Sequence, residues 1–189
     1  MRGASGRNGC RLGLLSAFSA EMTANVYDLI DERRHFAQDF VLVPERINGF
    51  ACETPLNWAS VPFQPDSVNK VSEKPGIYAF ILRSDAANLP PHGYIMYVGI
   101  AKKRKRQSFL RQRFREYLRE KDKAEEPKRS HISDMLRRWQ GLIHFHFATV
   151  EDGAELLDKI EIALNDALLP PKSHGDLSAT VRAAKRAFP

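Results

Sequence analysis

Pro75-Gly76-Ile77-Tyr78-Ala79-Phe80-Ile81-Leu82 decides how this chain is read. From Ile77 to Leu82 both alternating faces are apolar, the pattern of a central strand covered on each side. A loop with Pro90 and Pro91 fills 84–93, and Tyr94 to Ile100, which contains Tyr97-Val98-Gly99, reads as a second strand. The two most simply pair as a hairpin with a long connection. Downstream the periodicity predicts a helix over about 108–121, a polar break from Lys121 to Arg129, and a helix over about 130–139. Leu142 to Val150 reads as a third strand. Asp152-Gly153-Ala154-Glu155 then opens a helix that stops before Pro170-Pro171. The order strand, strand, helix, helix, strand, helix predicts a small mixed sheet with helices packed on it.

Upstream of Pro75 the signals weaken. A helix is expected over 24–38, where Val26, Leu29, Ile30 and Phe36 share a face and Asp31, Glu32 and Arg34 lie mostly outside it. Residues 39–75 read as irregular, punctuated by five prolines, with Trp58 and Phe63 anchoring the segment against the core. Three parts result: a leader over 1–21, an extension over 22–73, and a main domain over 74–189. In the leader, Arg2, Arg7 and Arg11 precede Leu12-Gly13-Leu14-Leu15. That apolar run is short and broken by glycine and serine, so a disordered leader, or an over-long start with Met22 as initiator, is preferred to a secretory signal. A cytoplasmic location is the corresponding expectation.

The chain has 189 residues and 43% hydrophobic content, enough for one domain with a core plus an extension. Its formal net charge of +6 favours an anionic partner, nucleic acid or a membrane surface. Cys10 and Cys52 are too few for a disulfide framework or a four-cysteine zinc site. No apolar run approaches the ~20 residues that span a bilayer.

Two charged residues break their helical patterns. Leu110, Phe114, Tyr117 and Leu118 form one stripe, with Arg111, Arg115 and Arg119 on the far side, where a solvated face explains them. Arg113 lies on the border of the stripe, one turn before Tyr117. A structural salt bridge and an anion site both account for it. In the later helix Leu157, Ile160, Leu164 and Leu168 define the apolar face, and Glu161 sits at its edge. A carboxylate there calls for a cation, either Arg113 or a metal ion. A hard divalent ion accepts one carboxylate plus waters and phosphate oxygens. His144 and His146 share a strand face with no third ligand at useful spacing, so they read as packed or partly exposed polar residues rather than a zinc site.

Gly76-Ile77-Tyr78 and Tyr97-Val98-Gly99 resemble the two halves of the signature that names the GIY-YIG nuclease family. Leu110 to Tyr117 resembles that family's arginine followed four residues later by an aromatic or histidine. Glu161, with Leu164 and Pro170 after it, resembles the motif of the metal-binding glutamate. The similarity covers roughly residues 74–175. It departs from the family pattern in three places. Arg113 comes late, so Arg106 and Arg111 are alternative counterparts, though Arg113 brings Leu110, Phe114 and Tyr117 with it. Ile100 stands where some members carry lysine, leaving Lys102 or Lys103 to substitute. Ser173 and His174 stand where many carry asparagine.

The resemblance implies an α/β domain with a central three-stranded antiparallel sheet flanked by helices, plus the N-terminal extension. It implies a metal-dependent endonuclease hydrolysing DNA phosphodiesters, in restriction, defence or repair. In that scheme Glu161 binds Mg²⁺ or Mn²⁺, Arg113 holds the scissile phosphate, Tyr78 or Tyr97 activates water, and Tyr117 positions one of these groups or simply packs. Lys102, Lys103, Arg104, Lys105, Arg106, Arg111 and Arg115, with Arg113, form a run of eight basic residues and no acidic ones, placed to contact the DNA backbone. A double-strand cut by one such site requires a dimer, a complex partner, or two sequential nicks. A catalytically silent nucleic-acid-binding module is the competing reading, and an RNase on the same scaffold a weaker third.

Overall fold

The Ile77–Leu82 run forms the central strand that its composition predicts, but the sheet around it has four strands, not the expected three. The computed structural model describes residues 25–85, 89–90, 92–102, 109–123, 129–151, 153–173 and 177–187. Strands β1 (Ala59–Pro62), β2 (Gly76–Leu82), β3 (Tyr94–Ala101) and β4 (Ile143–Thr149) are ordered β1-β4-β2-β3, every neighbouring pair antiparallel. β1 comes from the stretch read as irregular. It is four residues long with only Val61 buried, so it carries no alternation to detect. It ends in Pro62, which an edge strand tolerates because no ladder N–H is needed on its outer side.

The chain divides into two units, Met1–Ala37 and Gln38–Pro189. The first holds helix α1 (Val26–Phe36), capped by Asn25, whose side chain accepts a hydrogen bond from the Tyr27 backbone N–H at 3.2 Å. Residues 38–73, expected to belong to the extension, fall in the second unit and supply β1, helix α2 (Pro44–Asn48) and a 3₁₀ turn over Pro65–Lys70.

Helices cover both faces of the sheet. Tyr78, Phe80, Phe145 and Phe147 point to one face, with α3 (Leu110–Lys121) and α4 (Ser130–Arg138) packed against them through Leu110, Phe114, Tyr117, Ile132 and Leu136. Ile77, Ala79, Val98 and Ala148 point to the other, under α5 (Ala154–Leu168) and its Leu157, Ile160 and Leu164. Burying both faces of β2 accounts for its unbroken apolar run. Phe63 anchors its segment as expected, its ring centroid 4.9 Å from that of Phe114. Trp58 does not: it is exposed, at the rim of a cavity of about 230 Å³ between the sheet and α5. α5 ends where predicted, through Leu169 in the left-handed conformation before Pro170. It is not the last helix: α6 (Ala179–Ala187) follows, with Val181 buried. Among the described residues no helix is long and apolar enough to cross a membrane.

Candidate active site

Three tyrosines from three elements meet on the α3 side of the sheet. β2 directs Tyr78 there, and α3 directs Tyr117 there from its buried stripe. Tyr97 arrives by an irregularity. The β2–β3 register steps from Phe80↔Tyr97 to Ile81↔Ile95, which leaves Met96 as an extra residue on β3. A bulge of this kind re-aims the side chains beyond it. Both Met96 and Tyr97 therefore pack toward the Tyr78 side, while Ile95 and Val98 pack toward α5. The Tyr78 and Tyr117 hydroxyls lie 2.9 Å apart, and the Tyr78 ring centroid is 6.1 Å from Tyr97 and 5.9 Å from Tyr117. Gly99, which pairs with Tyr78 across the ladder, makes room for this arrangement. A Cβ there would stand 2.7 Å from the Tyr78 hydroxyl oxygen and 2.8 Å from a Tyr97 ring carbon.

Two guanidinium groups act on the cluster. Arg113 is 8% exposed, and its Nη1 donates to Glu116 Oε2 at 2.7 Å. Its Nε is shut off from solvent without a hydrogen-bond partner. The salt-bridge reading of Arg113 thus holds, and the guanidinium also acts electrostatically on the Tyr78 hydroxyl. The second, Arg129, had no signal in the sequence beyond standing just before a helix. Its Cζ lies 5.2 Å from the centroid of the Tyr117 ring. Burial lowers its proton affinity, but Tyr117, Tyr78, Glu120 and Tyr97 together outweigh that and raise it. Tyr78 is held well above the usual phenol range, first by complete burial, then by Tyr117 and Tyr97, with Arg113 opposing. It is a neutral phenol in this arrangement.

Glu161 comes from α5, which packs against β3, the strand that carries Tyr97. It is 8% exposed, and its backbone carbonyl accepts a hydrogen bond from Asn165 Nδ2 at 3.0 Å. Lys102 Nζ bonds both Asp158 oxygens, at 2.7 and 2.8 Å, which ties the end of β3 to α5 one turn before Glu161. Ser173 is buried beside β3, its Oγ accepting from the Val98 N–H at 3.4 Å. His174 lies outside the described residues. The structure therefore brings Tyr78, Tyr97 and Tyr117 together with Arg113 within electrostatic reach of Tyr78, and carries Glu161 on α5, which packs on the other face of the sheet. Among the described residues no three His, Cys, Asp or Glu side chains are grouped.

The basic run divides by role. Arg111 clamps the 69–73 segment to α3, its Nε donating to Val71 O at 2.8 Å, its Nη2 to Asn69 O at 3.2 Å and its Nη1 to Glu73. Arg115 is exposed. Lys103, Arg104, Lys105 and Arg106 lie outside the described residues. On the opposite face of the sheet His144 Nε2 is 3.4 Å from Asp85. Burial lowers the proton affinity of both His144 and His146. His144 is buried and His146 half-buried.

No protein-family model, no curated protein and no solved structure matches this chain. The residues themselves carry the functional argument.

Proposed function

We propose that the protein is a divalent-metal-dependent endonuclease of the GIY-YIG kind, hydrolysing DNA phosphodiester bonds at the tyrosine cluster. The observation that supports this best is convergence. Tyr78 and Tyr97 crowd Gly99 so closely that a single methyl group would overfill the space, Tyr117 shares a hydrogen bond with the Tyr78 hydroxyl, and Arg113 acts on Tyr78 electrostatically.

Each residue has work suited to its surroundings. Arg113 is fixed through Glu116 and presents positive charge to an incoming phosphate, whose oxygens compete with Glu116 for the guanidinium. Tyr78, neutral and buried, serves as a hydrogen-bonding link to Tyr117. Tyr97 is the less buried of the two motif tyrosines and the better placed to orient the attacking water and take its proton. Glu161 offers one carboxylate, a donor set that fits a hard ion keeping its waters and taking phosphate oxygens rather than a closed zinc site. Bound there, Mg²⁺ or Mn²⁺ would supply positive charge at the leaving oxygen.

The silent binding module is the second reading, favoured by the engagement of Arg113 with Glu116 and of Lys102 with Asp158. Supercoiled plasmid incubated with Mg²⁺, Mn²⁺ or EDTA separates the two. Nicking is expected with metal, abolished by EDTA, and reduced at least about 100-fold in Glu161→Ala, since such charge stabilisation is worth several kcal/mol. An intact plasmid that is nonetheless bound, with affinity falling steeply in salt, would favour the module.

A further inference from the structure

We propose that Arg129 is a second anion-binding group of the tyrosine cluster, holding a phosphate of the nucleic-acid backbone. The inference deepens the nuclease reading and rests on it for the identity of the ligand.

Arg129 differs from Arg111, Arg137 and Arg113 in what its donors do. Arg111 satisfies its donors on Val71, Asn69 and Glu73, and Arg137 donates to the carbonyls of Lys121 and Lys123. These are clamps, and their geometry explains their presence. Arg113 is neutralised by Glu116. Arg129 makes no ion pair among the described residues, and its Nη1 is closed to solvent without a hydrogen-bond partner. Glu120 lies within electrostatic reach but does not meet it, and Glu120 Oε2 is likewise buried without a partner.

Stacking alone does not account for this. A guanidinium over a tyrosine ring uses its face, and the fork of N–H groups at its edge stays available. The ring beneath Arg129 is Tyr117, whose hydroxyl is 2.9 Å from that of Tyr78. Arg113, from α3, also acts electrostatically on Tyr78, so cations from two elements lie near the tyrosine pair. A planar fork with unmet donors, beside a proposed phosphate site, matches the oxygens of a phosphodiester. Arg113 shares its charge with Glu116, whereas Arg129 has no carboxylate bonded to it among the described residues. It is thus suited to hold the backbone first.

The test is binding of a short fluorescein-labelled DNA duplex, measured against NaCl concentration without divalent metal, for the parent, Arg129→Gln, Arg129→Lys and the exposed control Arg119→Gln. Arg129→Gln is expected to weaken binding about tenfold and to lower the slope of log Kd against log salt by about 0.9, the signature of one lost phosphate contact. Arg129→Lys should keep the slope and recover part of the affinity, because it retains the charge and loses the fork. Arg119→Gln should change neither. Parent-like affinity and slope in Arg129→Gln, or no duplex binding by the parent, would overturn the proposal. The plasmid assay tells its failure from that of the nuclease reading. Cleavage with an unchanged Arg129→Gln slope removes Arg129 alone, and a lost slope without any cleavage removes the nuclease while leaving the anion site.

Discussion

Replacing Gly99 by alanine tests the site more sharply than removing any of its functional groups. The added Cβ would stand 2.7 Å from the Tyr78 hydroxyl oxygen, 2.9 Å from its Cζ and 2.8 Å from a Tyr97 ring carbon, all closer than van der Waals contact allows. Tyr97 is only partly buried and can yield. Tyr78 cannot: its ring stacks on Phe145 at 5.1 Å between centroids, and its hydroxyl is bonded to Tyr117. Overfilling a packed core costs about 1–3 kcal/mol, and displacing the hydroxyl adds the loss of a hydrogen bond worth about 1 kcal/mol. The sum, about 2–4 kcal/mol, corresponds to a fall of roughly 4–16 °C in Tm for a chain of this size. Thermal unfolding followed by circular dichroism reads that shift. The same change in a Tyr78→Phe background should cost less, because the nearest atom and its hydrogen bond have been removed while the contacts to the ring carbons remain. Gly76→Ala provides the comparison: its Cβ would run into the Ala148 carbonyl, which is backbone and cannot move aside, so it should be the more damaging of the two. Gly99→Ala should also reduce plasmid nicking at temperatures where the protein remains folded. A variant with parent-like Tm and parent-like nicking, or costs that simply add in the double mutant, would refute the packing on which the site rests.

Three further outcomes follow from the same geometry. Tyr78 ionises near pH 10 in the unfolded chain and only at higher pH when folded, so the unfolded state releases its proton first and stability falls as pH rises above about 10, by up to about 1.4 kcal/mol per pH unit. Denaturant unfolding should show a shallower alkaline decline for Tyr78→Phe, and an unchanged slope would contradict the burial of this phenol. His144 and His146 run the other way: with folded affinities lowered, stability is full above about pH 6.5 and is lost on acidification, and His146→Leu should lessen the loss between about pH 7 and pH 5. Arg111→Ala removes two hydrogen bonds to backbone carbonyls and should cost about 1–3 kcal/mol in urea unfolding while leaving duplex affinity nearly unchanged, whereas Arg115→Ala should weaken binding without altering stability.

The sequence was readable where burial and periodicity coincide. β2 is apolar on both faces because helices cover both, and α3 shows its stripe because Leu110, Phe114 and Tyr117 all enter the core. Arg113 and Glu161 stood out because a charge at the border of such a stripe is an exception with few explanations, and both are buried. β1 was not readable, since an edge strand with one buried residue has no period. The β2–β3 bulge was also hidden: nothing in Tyr94 to Ala101 says that Met96 is extra, yet that residue decides which face Tyr97 takes. Arg129 belongs to no stripe and becomes visible only when α4 places it over Tyr117. Arg111 shows the converse failure, because a basic residue on the polar side of a helix reads as solvated until its carbonyl partners are located.

The electrostatics of the cluster bear on the order of events at the site. An isolated phenol buried with two others resists ionisation, and Tyr78 does so despite Arg113 beside it. One guanidinium already bonded to a carboxylate is therefore too little positive charge to make a base of a buried tyrosine near neutral pH. Reactivity requires that the balance change on binding. A phosphate that draws Arg113 from Glu116 brings negative charge of its own and worsens the balance, so a compensating cation must come with it or precede it. In the proposed scheme a divalent ion at Glu161 would meet that need, and Arg129, which carries no bonded carboxylate among the described residues, would contribute from the start of α4. Under the proposed function the water-activating role would fall to Tyr97, which is only partly buried. Tyr97→Phe should then abolish nicking even where Tyr78→Phe merely slows it. The opposite ranking would place the base in the core and require the core to ionise.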